Sequence, residues 1–129
     1  MPKSNNPLSL RLALAAVCAL VLLVAGFSWA GNEAAKTALK RVETKKVCMV
    51  NNQVFEKDQI PVNVQGKTYY GCCEMCKERL AKDAEARTAT DPVTGKKVDK
   101  ATAVIAALPD GNVLYFESEK TLEQYEKKN

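Results

Sequence analysis

The sequence predicts an α+β chain made of two small tandem units, each a knuckle or turn, then a β-hairpin, then a helix. Three observations predict it. The first is an internal repeat at an offset of 45 residues, in which Gly66 falls on Gly111, Tyr70 on Tyr115, Cys73 on Ser118, Glu74 on Glu119 and Ile60 on Ile105. A period of this length marks a repeated supersecondary unit. The second is a turn signal at matching places, Gln65-Gly66 and Pro109-Asp110-Gly111-Asn112, each between apolar extended runs. The third is the switch from an extended aromatic run to helix-forming residues after Tyr69-Tyr70-Gly71 and after Leu114-Tyr115-Phe116.

The elements follow in order. Residues 1–30 read as an export signal. Lys3 and Arg11 supply positive charge, Leu12 to Phe27 is apolar, and Ser28-Trp29-Ala30 ends the run with small residues flanking Trp29. Cleavage after Ala30 is expected, and the mature chain would then carry no tryptophan. The alternative is an uncleaved inner-membrane anchor, since the apolar run of about 16 to 19 residues is near the lower limit for a span. Cys18 is read as an apolar filler of that run. Either way the rest of the chain is expected outside the cytoplasm, in the periplasm or its equivalent. Residues 31–46 read as a linker, a short helix or a tether, whose Lys40-Arg41 and Lys45-Lys46 form a solvated face.

The first unit, residues 47–90, opens on Val47-Cys48-Met49-Val50. Strands are expected at Ile60–Val64 and Lys67–Tyr70, and a helix over Cys73–Arg87. The second, residues 91–129, opens on the turn Asp91-Pro92-Val93-Thr94-Gly95. Strands are expected over Ala101–Leu108 and Val113–Phe116, and a helix over Ser118–Lys127 capped by Ser118. Neither unit has enough apolar surface for its own core. Ile60, Val62, Tyr70, Leu80, Val104, Ile105, Leu114, Phe116, Leu122 and Tyr125 are therefore expected to share one.

Composition narrows the chemistry. The chain of 129 residues has a net charge of +4, which falls to +2 without Lys3 and Arg11. That balance gives no basis for nucleic-acid or membrane-surface binding. Histidine is absent, which excludes His–Cys zinc sites and His-dependent catalysis. No acid–base pair stands out from the surface carboxylates, so no enzyme is expected.

Thiols remain. Three of the five cysteines lie in Cys72-Cys73-Glu74-Met75-Cys76, where a helix begins and its free N–H groups favour thiolate. Cys48 lies upstream. We expect Cys48, Cys72 and Cys76 to converge on one soft metal ion, Cu(I) or Zn(II), with Cys73 as the candidate fourth ligand. Cys73 also falls on the cap position of Ser118, which gives it a local backbone role instead. Met49 and Met75 are thioethers within reach of such a site, although core filling and helix surface explain them. One of Tyr69 and Tyr70 is expected in the core and the other beside the site. In the second unit Cys72 falls on Glu117, Cys76 on Thr121, and Cys48 on Val93 or Thr94, so that copy keeps the frame without thiols.

Two other readings compete. Cys73-Glu74-Met75-Cys76 is a Cys-x-x-Cys at a helix N-terminus, the arrangement of thiol–disulfide exchange modules, although their βαβ context is missing. Alternatively the four cysteines staple a small exported domain through disulfides, with three connectivities available.

The residues Cys48, Tyr69-Tyr70-Gly71-Cys72 and Cys76-Lys77-Glu78-Arg79-Leu80 resemble the TRASH and YHS domain families, small cysteine modules linked to heavy-metal handling. The second unit resembles a YHS module in Asp91-Pro92-Val93-Thr94-Gly95-Lys96-Lys97-Val98-Asp99 and Leu114-Tyr115-Phe116-Glu117-Ser118-Glu119, with Thr94 where the family cysteine falls. The resemblance spans residues 47–128. It implies a treble-clef-like fold and soft-metal binding or sensing. A membrane metal transporter is the partner such an exported carrier would serve.

Overall fold

In a computed structural model of the chain, the structure describes residues 38–129. The signal or anchor expected at residues 1–30 and most of the expected linker lie outside the described residues. What is described is mixed α+β: two helices and four small antiparallel sheets.

Strand β1, Lys40–Arg41, is an edge strand. A 3-10 turn, Thr44–Lys46, leads into β2, Val47–Cys48, which pairs with β3, Gln53–Val54. A longer hairpin follows. Strand β4, Ile60–Val64, pairs with β5, Lys67–Gly71, in the register Val62↔Tyr69 and Val64↔Lys67. The two-residue loop has positive φ at both positions, 51° at Gln65 and 78° at Gly66. That is the twist-matched hairpin turn, and glycine at the second position meets its demand without strain. Helix α1, Glu74–Lys82, closes this half.

The second half runs through the same kinds of element. Strands β6, Thr88–Thr90, and β7, Lys97–Asp99, pair across the turn that begins at Asp91. Strands β8, Val104–Ala107, and β9, Val113–Phe116, form a hairpin, and β1 joins it through Lys40↔Ala107 and Arg41↔Ala106. Helix α2, Glu119–Lys128, follows. Ser118 caps it, its side chain accepting from the Thr121 N–H while Thr121 Oγ1 accepts from the Ser118 N–H. Cys73 stands before α1 with nearly the same extended backbone, φ −154° against −159°, but its side chain makes no cap bond. Sulfur is a weak acceptor, which is reason enough for the difference.

One core serves both halves. Val47, Met49, Val62, Tyr69, Leu80 and Ala86 pack with Ile105, Ala107, Val113 and Tyr115. A smaller cluster of Ala106, Phe116 and Leu122 lies under α2, where Phe116 and Tyr125 meet edge to face at 5.6 Å between ring centres.

The structure corrects three expectations. Tyr69, not Tyr70, is the core tyrosine, because Tyr69 shares the inward face with Val62 while Tyr70 pairs with Pro61 and is half-buried. Ile60, Val104, Leu114 and Tyr125 are likewise only half-buried. Helix α1 ends at Lys82 rather than Arg87. Asp83 turns the backbone extended, and the Arg87 guanidinium folds back to donate to the Leu80 carbonyl at 2.6 Å. Arg87 thus satisfies a carbonyl that the helix end would leave free. Finally, Lys40-Arg41 is paired strand rather than tether, with Arg41 in an ion pair with Glu119 at 2.6 Å.

Candidate metal centre

The site is built from a turn, a strand end and a helix mouth. Strand β2 delivers Cys48 into a tight turn that runs to β3. Val47, Cys48 and Met49 are fully buried. The Met49 N–H donates to the Tyr70 carbonyl at 2.9 Å, which pins the turn to β5. Asn52 returns the chain with a left-handed φ of 55°, a conformation asparagine tolerates better than most residues.

Strand β5 ends at Gly71, which is buried against α1. A Cβ there would stand 2.9 Å from Cys76 Cβ and 3.1 Å from the Lys77 nitrogen. Glycine is therefore what lets the strand end close on the helix, and this contact sets Cys72 beside Cys76. Gly71→Ala is expected to push the two apart and to cost about 1–3 kcal/mol in overpacking. Chemical denaturation would give the stability loss, and a metal-competition titration the accompanying loss of affinity.

The three sulfurs of Cys48, Cys72 and Cys76 all lie within 4.8 Å of one another. Cys48 Sγ is 3.9 Å from Cys76 Sγ, and Cys72 Sγ is 3.6 Å from Cys76 Sγ. Thiolates about 2.3 Å from a shared ion would stand about 3.8–4.0 Å apart. The triangle could therefore hold a metal ion with little rearrangement. All four cysteines of the described residues are free thiols. Cys73 is exposed and its sulfur is not one of the three that cluster. Met49 belongs to the core, and Met75 is 80% exposed on α1.

The helix mouth does not favour thiolate equally at all four sulfurs. Burial raises the Cys48 thiol, but hydrogen bonding from the Asn51 N–H, the Cys72 thiol and the N–H groups of Cys72 and Val50 outweighs it and leaves the thiol below its ordinary value. Cys73 is also lowered, first by the N–H of Cys76. Cys72 is raised by burial and by the crowding of neighbouring sulfur. Cys76 is pushed up to about 12 for the same reasons. Three sulfurs this close cannot all ionise cheaply without a cation among them.

No family model, curated protein or solved structure matches the chain.

Two supporting side chains carry no sequence signal. Asn51 donates from Nδ2 to Cys72 Sγ at 3.5 Å. Lys100 is buried, and its ammonium donates to the Met49 carbonyl at 2.6 Å and to Asn52 Oδ1 at 2.8 Å. Burial pulls Lys100 down to about 8, against the pull of charge on Cys48. Asn51-Asn52 reads only as turn chemistry. Lys100 sits in a polar stretch where a lysine normally faces water.

The matching place in the second half is closed by a carboxylate. Asp91 is fully buried. Its Oδ1 accepts from the N–H groups of Val93 at 2.7 Å and Thr94 at 3.2 Å, and its Oδ2 from the N–H of Glu117 at 2.7 Å. It joins the turn to the mouth of α2, as an ion shared by Cys48, Cys72 and Cys76 would join the turn to the mouth of α1.

Proposed function

We propose that this protein is a small exported metal-binding protein that holds one Cu(I)- or Zn(II)-class ion on the thiolates of Cys48, Cys72 and Cys76, and works by carriage, sensing or sequestration rather than catalysis. The observation that carries the reading is the sulfur triangle itself. It combines contact distances suited to one ion with four free thiols and no disulfide among the described residues. Thiolates without imidazole select soft or borderline ions. A three-thiolate set suits trigonal Cu(I). Zn(II) would complete a tetrahedron with Cys73 after rearrangement, or with an outside ligand. The resemblance to TRASH and YHS modules points the same way. It adds the reading of two tandem units, the second a thiol-free scaffold, and of a membrane metal transporter as donor or acceptor.

The test is to express residues 31–129 without oxygen and titrate them with Cu(I) and Zn(II) against a chromophoric chelator. One ion per chain is expected. Binding must displace protons from Cys72 and Cys76, whose thiols are raised, so affinity falls as pH falls. The expected slope is two to three protons, about a hundredfold or more in apparent affinity per pH unit near neutrality. A chain that takes up no ion at any pH from 6 to 9 rules the reading out.

A second reading has one observation in its favour. Cys73 is exposed with a lowered thiol, and Cys76, three residues on, is buried with a raised one. That is the polarity of a disulfide-exchange pair. Catalytic reduction of a test disulfide by the metal-free protein, abolished by Cys73→Ser, would favour it.

A further inference from the structure

The thiol-free half does more at the site than fill space. The turn carrying Cys48 receives its bonds from residues far along the chain. The Val113 N–H donates to the Asn52 carbonyl at 2.9 Å, and the Val54 N–H to the Gly111 carbonyl at 3.0 Å. Gln53 and Asn112 form an antiparallel bridge. Lys100 comes from the same half and reaches deepest. Only 5% of it is exposed, and its Nζ lies 5.2 Å from the centre of the Tyr115 ring as well as on Met49 O and Asn52 Oδ1. A lysine is rarely placed so deep without a partner of opposite charge. Among the described residues no carboxylate is bonded to it; its hydrogen-bond partners are a carbonyl and an amide oxygen. The carbonyl it holds belongs to Met49, the residue after Cys48, so the ammonium sits on the turn that carries that sulfur.

We propose that Lys100 is the positioning and charge-compensating residue of the metal centre, and that its buried ammonium biases the site toward the monovalent ion. The inference rests on the metal-binding reading above. Three thiolates around a monovalent ion leave a net charge of −2, and around a divalent ion −1. A positive charge held on the turn that carries Cys48 stabilises both complexes, and the more anionic one more strongly. The same ammonium holds Met49 O and Asn52 Oδ1, and so fixes the turn from which Cys48 projects. The amide and carbonyl groups that Lys100 holds are neutral, so removing its charge changes the field at the turn without removing another charge.

The test compares the wild type with Lys100→Met and Lys100→Gln in parallel Cu(I) and Zn(II) competition titrations. Lys100→Gln removes the charge but keeps a donor for the turn, so it decides the matter should Lys100→Met fail to fold by circular dichroism. The expected result is a loss of Cu(I) affinity about tenfold greater than the loss of Zn(II) affinity. Lys100→Arg, which keeps the charge, should restore the preference. An equal loss for both ions, or no loss for either, overturns the proposal, because a lysine that merely shapes the turn would weaken both together. A wild type that binds neither ion overturns the metal-binding reading itself, a result distinct from a wild type that binds both and variants that keep its preference.

Discussion

Replacing Cys48 or Cys76 with serine is expected to weaken ion binding several-hundredfold, whereas Cys73→Ser should leave Cu(I) binding within a few-fold of the wild type. Both of the first pair are buried members of the sulfur triangle, while Cys73 is exposed outside it. Structural thiolate sites bind zinc with roughly 10–16 kcal/mol in all, so the loss of one ligand of three or four costs about 3–4 kcal/mol, a factor of several hundred. Cys72→Ser belongs with the severe group, although its half-buried position leaves room for water to take its place. A competition titration reads the affinity. Thermal unfolding gives an independent measure, because an ion that binds only the folded chain raises its stability by about 2.7 kcal/mol at a hundredfold excess over the dissociation constant. That increment should vanish in Cys48→Ser and Cys76→Ser and survive in Cys73→Ser.

Asp91→Ala is expected to cost about 3–5 kcal/mol, a large fraction of the stability of a chain of this size. The carboxylate is fully buried and accepts from three backbone N–H groups, on Val93, Thr94 and Glu117. Alanine orphans all three in a dry environment. Asp91→Asn keeps the shape and one acceptor oxygen, so its cost should be smaller. Acid acts on the same group. Burial works to raise the carboxyl, but the N–H groups of Glu117 and Val93 prevail and hold it below its ordinary value. A depressed folded value contributes stability above the unfolded value of 3.8, and that stability is lost as pH falls through the folded one. Urea midpoints between pH 3 and 7 should therefore drop at the acid end for the wild type and show less of that drop for Asp91→Asn.

Much of the frame was legible in the sequence. Gln65-Gly66 announced the β4–β5 turn because only a few residue types accept two successive positive φ angles. Ser118 announced the start of α2 because its hydroxyl has a geometric task there. Cys72 and Cys76 could be grouped because a strand end and the mouth of the following helix are contiguous, and Cys48 joined them as the upstream thiol of a unit without histidine. Less legible was anything decided by faces and long-range reach. A shift of one residue separates Tyr69 from Tyr70, and the period of two in a strand makes that shift a change of face. Arg87 looked like the tail of a helix, yet it serves as the cap for a shorter one. Lys100 and Asp91 look like surface residues of a turn-rich stretch. They became interior when distant backbone supplied what their charges need, and no local pattern encodes that.

The turn that carries Cys48 has a consequence for timing. All three clustered sulfurs have been synthesised by residue 76, but Lys100 and Val113, which brace that turn, are still to come. Contacts spanning so much of the chain close late, after the loops between them have been ordered. A nascent chain halted in its middle would therefore display loose thiols to any oxidant or stray ion it met, and the bracing of the Cys48 turn would arrive only with the last third of the polypeptide.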